Sequence, residues 1–259
     1  MLAYSEVGTG PALVLLHAFP MDRSLWRDVV APIADAGWHV ITPDLPGFGR
    51  SAETAASIDD MALAVALLLN ELGVHSAVVG GCSMGGYVAM SFAAQFPERT
   101  AGLVLVDTKA NADDEAGRAN RERIAEQVLK SGSTAAIAAT QPDAMFSRAT
   151  HTDKPDVVAW LKATILEQTP IAVAAAQRAM ATRAAHFETL AGLHVPLLCI
   201  RGAEDTVATA EDHTRMAKAS GDALDVTIAD AGHLVPIEQP EAFVAHVIDF
   251  LAKVRAPRC

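Results

Sequence analysis

A chain of 259 residues, 51% hydrophobic and 20% charged, has the composition of a globular protein and the length for one large domain or a core with an inserted subdomain. Its formal net charge of −11, with no basic run longer than two residues, lacks the clustered Lys and Arg that a phosphate backbone requires, so nucleic acid is not an expected partner. Pro, Gly or charge interrupts every apolar run before the roughly 20 residues that a bilayer span needs, so no membrane partner is expected either.

The first residues, Met1-Leu2-Ala3-Tyr4-Ser5-Glu6, have neither the basic nor the apolar region of a secretory signal, which predicts a cytoplasmic protein. Up to residue 107, buried-strand patterns at Leu13 to His17, His39 to Thr42, Ala77 to Gly80 and Leu103 to Val106 alternate with helical periodicity at Leu25 to Ala36, Ile58 to Leu72 and Met84 to Phe96. Ser57, with Asp60 three residues on, signals a helix start, and Gly73 the end of the same helix. Alternation of this kind predicts an α/β fold, a mostly parallel sheet flanked by helices.

From about Thr108 to Val195 strand signals vanish, and four helices are expected at Asp113 to Lys130, Ser133 to Ala139, Pro155 to Gln168 and Ile171 to His186. The first pattern resumes at Pro196, with strands at Leu197 to Ile200 and Asp225 to Ile228 and helices at Ala210 to Ala219 and Pro240 to Val254. Residues 1–107 and 196–259 are therefore expected to form one core, and 108–195 an all-helical insertion, because strands on both sides need each other to complete a sheet.

Residues 80 to 87 read G-G-C-S-M-G-G-Y where a strand hands over to a helix. Gly81-Cys82-Ser83-Met84-Gly85 fits G-x-S-x-G, in which small residues flank a serine on a sharp turn and a helix N-terminus faces developing negative charge. The bland alternative is a glycine-rich connection that tightens a strand against a helix. A serine nucleophile needs a base. Of nine histidines, His233 in Ala231-Gly232-His233 follows the last strand and so arrives at the same sheet edge. His17, His39 and His75 read as structural, His151, His186 and His194 fall in or beside the insertion, and His213 and His246 fall in expected surface helices.

The base needs a carboxylate to hold its tautomer. Asp205, in Arg201-Gly202-Ala203-Glu204-Asp205, follows the strand Leu197 to Ile200, and the order Ser83, Asp205, His233 differs from the serine-protease orders. Glu204 reads as solvated surface charge, whereas Asp107, ending another strand, is the rival acid. An oxyanion hole requires two backbone N–H groups. Met84 supplies one, and the turn His17-Ala18-Phe19-Pro20 leaves Phe19 for the other, since Pro20 has no N–H. Cys82, Cys199 and Cys259 are too few and scattered for a disulfide framework or zinc site, so free thiols, no metal and no cofactor are expected.

Together H-A-F-P, P-D-L-P-G-F-G-R-S (Pro43 to Ser51), G-C-S-M-G-G, R-G-A-E-D and A-G-H resemble the motifs of the α/β-hydrolase superfamily in order and spacing. The chain is most similar there to 3-oxoadipate enol-lactonases and small carboxylesterases. Two departures are Ala18, where relatives usually have glycine, and a short N-terminus with little room for the first strand many relatives carry. The resemblance implies a serine hydrolase that cleaves a small to medium carboxylic ester or lactone, with the insertion as a lid. It implies a pocket drawn from Met21, Trp26, Met145, Phe146, Trp160, Leu161, Val207 and Leu234, each of which could instead be plain packing. A cofactor-free haloperoxidase-like perhydrolase, a hydroxynitrile lyase and a thioesterase are alternatives on the same triad, and a non-catalytic binding protein is the alternative from another class. The oligomeric state is not readable from the sequence.

Overall fold

Seven strands form one sheet in the computed structural model, which describes residues 1–221 and 223–255. They are β1 (Tyr4–Val7), β2 (Ala12–Leu16), β3 (His39–Pro43), β4 (Ala77–Cys82), β5 (Thr100–Val106), β6 (Leu197–Gly202) and β7 (Ala223–Ile228), in the spatial order β1-β3-β2-β4-β5-β6-β7. All neighbours are parallel except β1, which runs antiparallel to β3 with Tyr4 opposite Pro43 and Val7 opposite Val40. The short N-terminus therefore does carry a first strand. It escaped the sequence reading because an edge strand of four half-buried or exposed residues is held by backbone bonds to its neighbour, with no apolar run to announce it.

The central strands are buried on both faces, which explains their continuous apolar runs. Successive side chains part to opposite sides: Val14, Leu16, Val79, Leu103, Leu105 and Cys199 enter one apolar cluster, and Leu13, Leu15, Val78, Val104, Val106 and Ile200 the other. Each such Leu, Ile or Val contributes about 1.5–3 kcal/mol on burial, so the loops at the strand ends stand on a rigid base.

Helices cover both faces. The expected single helix at Leu25 to Ala36 is instead a 3₁₀ turn, Arg23–Trp26, followed by α1 (Val30–Asp35). Pro32 lacks the N–H that would bond back into a longer helix, so it sits in the first turn of α1. Next come α2 (Ile58–Glu71), capped as expected by Ser57 accepting the Asp60 N–H, and α3 (Met84–Gln95).

Between β5 and β6 lie six helices where four were expected: α4 (Glu115–Ser131), α5 (Ala135–Met145), α6 (Arg148–Asp153), α7 (Pro155–Glu167), α8 (Pro170–Ala181) and α9 (Phe187–Ala191). α5 continues through Pro142 to Met145, α6 was not foreseen, and α8 stops five residues short of His186. The insert grips both faces of the core. α4 and α8 feed the cluster under α2 and α3, while α5 and α7 feed the cluster that receives α1 and the C-terminal helix. Asp113 accepts from Arg121 and Arg183, and the Arg183 guanidinium lies 4.2 Å over the Tyr87 ring, fastening the insert to α3. The core closes with α10 (Ala210–Ser220), the single turn α11 (Val235–Glu238) and α12 (Pro240–Arg255).

His213, expected on a surface helix, is buried, with Nδ1 3.1 Å from the Asp225 carboxylate. It lies on the inner side of α10, beside Met216 and Ala217. Cys82 and Cys199 are buried free thiols, and Cys259 lies outside the described residues.

Candidate active site

The chain passes from β2 to β3 on one side of it and then crosses back to β4 on the other side of β2, so strand order reverses between β2 and β4. A crevice opens at such a switch point, at the carboxyl ends of the strands. The loop bearing Phe19 leaves β2 there and Ser83 leaves β4, with Leu16 and Gly81 side by side in the register. Asp107, Asp205 and His233 follow β5, β6 and β7 along the same edge.

Ser83 sits at φ 53°, ψ −113°, a backbone state that costs of order 1–3 kcal/mol in a residue with a side chain. Its N–H donates to the Val106 carbonyl (2.9 Å) and its carbonyl accepts from Thr108 Oγ1 (2.8 Å), so the end of β5 and the residues just after it hold the turn from both sides. The flanking glycines are steric necessities. A Cβ at Gly81 would overlap the Gly85 carbonyl, and one at Gly85 would overlap the Leu16 carbonyl and come within 2.9 Å of the His17 oxygen. Gly85→Ala is therefore expected to destabilise the fold by about 3 kcal/mol or more, read from its urea unfolding midpoint; a wild-type midpoint would contradict the packing described.

Three side chains from distant parts of the sequence meet above this turn. His233 Nε2 is 2.8 Å from Ser83 Oγ, and His233 Nδ1 is 2.9 Å from Asp205 Oδ2. The remaining Asp205 oxygen accepts the N–H groups of Val207 (2.8 Å) and Ala208 (3.1 Å). Histidine and aspartate are buried, and Ser83 is half-exposed. Burial opposes a charge on His233, but the Asp205 carboxylate and its hydrogen bond outweigh it, with Asp107 and Glu238 adding in the same sense, and the imidazole pKa lies above the ordinary 6.5. Asp205 is likewise opposed by burial, yet His233 and the two N–H donors hold its carboxyl below the usual range.

Asp107 is placed differently from Asp205. Its two oxygens accept the N–H groups of Gly202 (2.8 Å) and Val235 (3.2 Å), tying the loops that carry Asp205 and His233 together. Burial, and then the nearby Asp205 charge, push it up to about 8. Glu204 is exposed and accepts the Arg148 N–H. Met84 opens α3, and neither its N–H nor that of Phe19 has a hydrogen-bond acceptor among the described residues. His17 fixes the Phe19 loop from below: Nδ1 bonds the Ala18 carbonyl and Nε2 accepts the Leu45 N–H.

Of the expected pocket residues, Met21, Trp26, Met145, Phe146, Leu161 and Leu234 share one buried apolar cluster at the seam of insert and core. Trp26 packs at a tilt against Phe243 within it, with ring centroids 6.0 Å apart. Trp160 packs against its margin under Arg27, and Val207 is exposed. A cleft of about 450 Å³ opens between α4, α5 and α8. Its wall includes Gln141, whose amide donates to the Phe19 carbonyl at 3.2 Å. Among the described residues no group of three or more His, Cys, Asp or Glu side chains is arranged to hold a metal ion.

Sequence reasoning missed Gln141, Thr108 and, above all, Glu238, a fully buried carboxylate at the end of α11. Its only signal was one acid closing the apolar stretch Leu234-Val235-Pro236-Ile237.

Comparison with known proteins agrees with this architecture. An esterase from Thermogutta terrifontis has a structure similar to this one, with a TM-score of 0.95 and 38% identity over 98% of this chain and 94% of that one. The enol-lactonase of Burkholderia xenovorans aligns with a TM-score of 0.89 and 26% identity over 97% and 96% of the two chains. In sequence, the 3-oxoadipate enol-lactonase 2 of Acinetobacter baylyi is 27% identical over 256 residues, 97% of this chain and 93% of its own length. Other curated relatives are matched over only 20–40% of their length. A family profile described as alpha/beta hydrolase fold matches residues 11–240. The chain belongs to the α/β-hydrolase fold family.

Proposed function

We propose that this protein is a serine hydrolase that cleaves a small to medium carboxylic ester or lactone through an acyl-serine intermediate. The observation that carries the reading is the continuous hydrogen-bonded line from Ser83 Oγ through His233 to Asp205. In this mechanism His233 Nε2 takes the Ser83 proton as Oγ attacks the carbonyl carbon, while Asp205 steadies the imidazolium. The oxyanion is received by the N–H groups of Phe19 and Met84, donors of a kind worth about 10²–10³ in kcat each. Collapse expels the alkoxide, which takes the proton from His233. Water, deprotonated by His233 in turn, then hydrolyses the acyl-serine and restores both groups.

The substrate class is supported by the esterase and enol-lactonase relatives. The test is a pre-steady-state burst of p-nitrophenol from p-nitrophenyl acetate, together with labelling by a fluorophosphonate probe. Both are expected at about one equivalent per chain. No adduct on Ser83 by mass spectrometry would sink the reading.

The raised His233 pKa adds a pH signature. The base must be neutral, so kcat/KM should fall on acidification along a limb with its midpoint above the ordinary histidine value of about 6.5. Initial rates from about pH 5 to 9 measure this, and a midpoint below 6.5 would contradict the electrostatics described.

A further inference from the structure

Glu238 lies five positions after His233, at the end of the single turn α11, and is fully buried. Its carboxylate divides its two oxygens between two parts of the chain. Oε1 accepts the N–H of Gly232 at 2.7 Å and faces that of Leu234 at 3.4 Å, the residues on either side of the catalytic-base candidate. Oε2 accepts the N–H of Ser147 at 2.7 Å and the Thr150 hydroxyl at 2.8 Å, both in the segment where α5 gives way to α6. The N–H of His233 itself donates to the Met145 carbonyl at 2.8 Å, at the end of α5. Ser147 Oγ accepts the Thr150 N–H and donates to the Asp230 carbonyl, and Lys154 Nζ closes on the Glu238 carbonyl at 2.8 Å.

Every backbone N–H from Gly232 to Leu234 is thus satisfied by Glu238 or by the insert. The packing interlocks as well, because a Cβ on Gly232 would come within 2.8 Å of the Phe146 backbone. Why should a carboxylate occupy this place? Four donors converge on two oxygens, which only an acceptor-only group can satisfy. An amide offers one oxygen and turns its NH₂ against N–H or O–H donors. An apolar side chain would leave the donors unpaired in the interior, at a cost of desolvation for each.

We propose that Glu238 is a positioning residue of the hydrolase site, a latch through which the seated insert holds the His233 loop against Ser83. This rests on the hydrolytic reading above and extends it. The insert is then part of the catalytic geometry, since the turn Met145 to Thr150 and the loop Asp230 to Leu234 cannot separate without breaking bonds to one side chain. The latch also brings negative charge near the imidazole. The titratable groups facing His233 are Asp205, Asp107 and Glu238, with the Cys82 thiol beneath its carbonyl; Lys154 faces the Glu238 main chain, and His151 lies edge-on to Phe146.

The experiment compares steady-state kinetics of wild type, Glu238→Gln and Thr150→Val on p-nitrophenyl acetate across pH, with unfolding midpoints recorded for each. Glu238→Gln is expected to lower kcat about tenfold or more with KM little changed. It should also move the acid limb of kcat/KM to lower pH by about half a unit or more, because removing an anion makes the imidazole release its proton more readily. Thr150→Val removes one donor but keeps the charge. It is expected to lower kcat about threefold or more, with the limb unmoved. A Glu238→Gln enzyme with wild-type kcat and wild-type limb, differing only in unfolding midpoint, overturns the latch. If that variant does not fold, Thr150→Val decides alone, and wild-type kcat there overturns it. A wild-type enzyme without a burst overturns the hydrolase reading and the latch with it, whereas a bursting wild type with unimpaired variants overturns the latch only.

Discussion

Replacing Ser83 by alanine is expected to lower kcat on p-nitrophenyl acetate by about 10⁵–10⁶-fold, equivalent to about 7–8 kcal/mol of transition-state stabilisation, and to abolish fluorophosphonate labelling. The size of the effect follows from what Oγ does in the proposed reaction. It forms the covalent bond, and no other hydroxyl lies within hydrogen-bonding distance of His233 Nε2 among the described residues. Thr108 Oγ1, the nearest alternative along the turn, is already donating to the Ser83 carbonyl. The fold should not notice the change. The turn is held by backbone bonds to Val106 and by the Gly81 and Gly85 approaches, none of which uses Oγ, so the unfolding midpoint should stay at the wild-type value. A Ser83→Ala protein that retained a p-nitrophenol burst would place the nucleophile elsewhere.

Asp205→Asn should cost about 10⁴-fold in kcat, or about 5.5 kcal/mol, through the tautomer of His233. One carboxylate oxygen accepts the Val207 and Ala208 N–H groups, and an asparagine keeps its carbonyl there. Its NH₂ then faces His233 Nδ1 and turns that atom into an acceptor. The ring proton moves to Nε2, where it points at Ser83 Oγ and cannot receive the serine proton. Asp107→Asn is the internal control, because Asp107 bonds Gly202 and Val235 but makes no hydrogen bond to the imidazole. The amide turns its NH₂ against one of those two N–H groups, so a loss of about tenfold is expected, still far below the loss of about 10⁴-fold in Asp205→Asn. Equal losses in the two variants, measured at matched pH on folded protein, would overturn the assignment of Asp205 as the partner acid.

Much of the architecture was legible along the chain, and its misreadings have particular causes. The parallel strands announce themselves because both faces are buried, and G-C-S-M-G announces the elbow because the approach of Gly85 to the Leu16 carbonyl leaves no room for a side chain. The insert was read with too few helices. The second helix was expected to stop at Ala139, yet α5 runs on through Pro142 to Met145, and α6 is too short, at six residues, to show a period. His213 looked solvent-facing because helical periodicity in α10 did not reveal that this side of the helix lies on β6 and β7.

Residue order by itself determined the α/β alternation, the serine at a strand-to-helix turn and a histidine after the last strand, since each is a local pattern of apolar period or of required small residues. Tertiary structure alone decided which acid meets the imidazole, because Asp107 and Asp205 both leave the same edge and only the paths of their loops aim one at Nδ1 and the other at backbone N–H groups. It alone decided the place of Glu238 as well. Its partners at Gly232 and Thr150 lie 6 and 88 residues away, and a buried carboxylate finds its donors by how the chain closes in space, which no local pattern encodes.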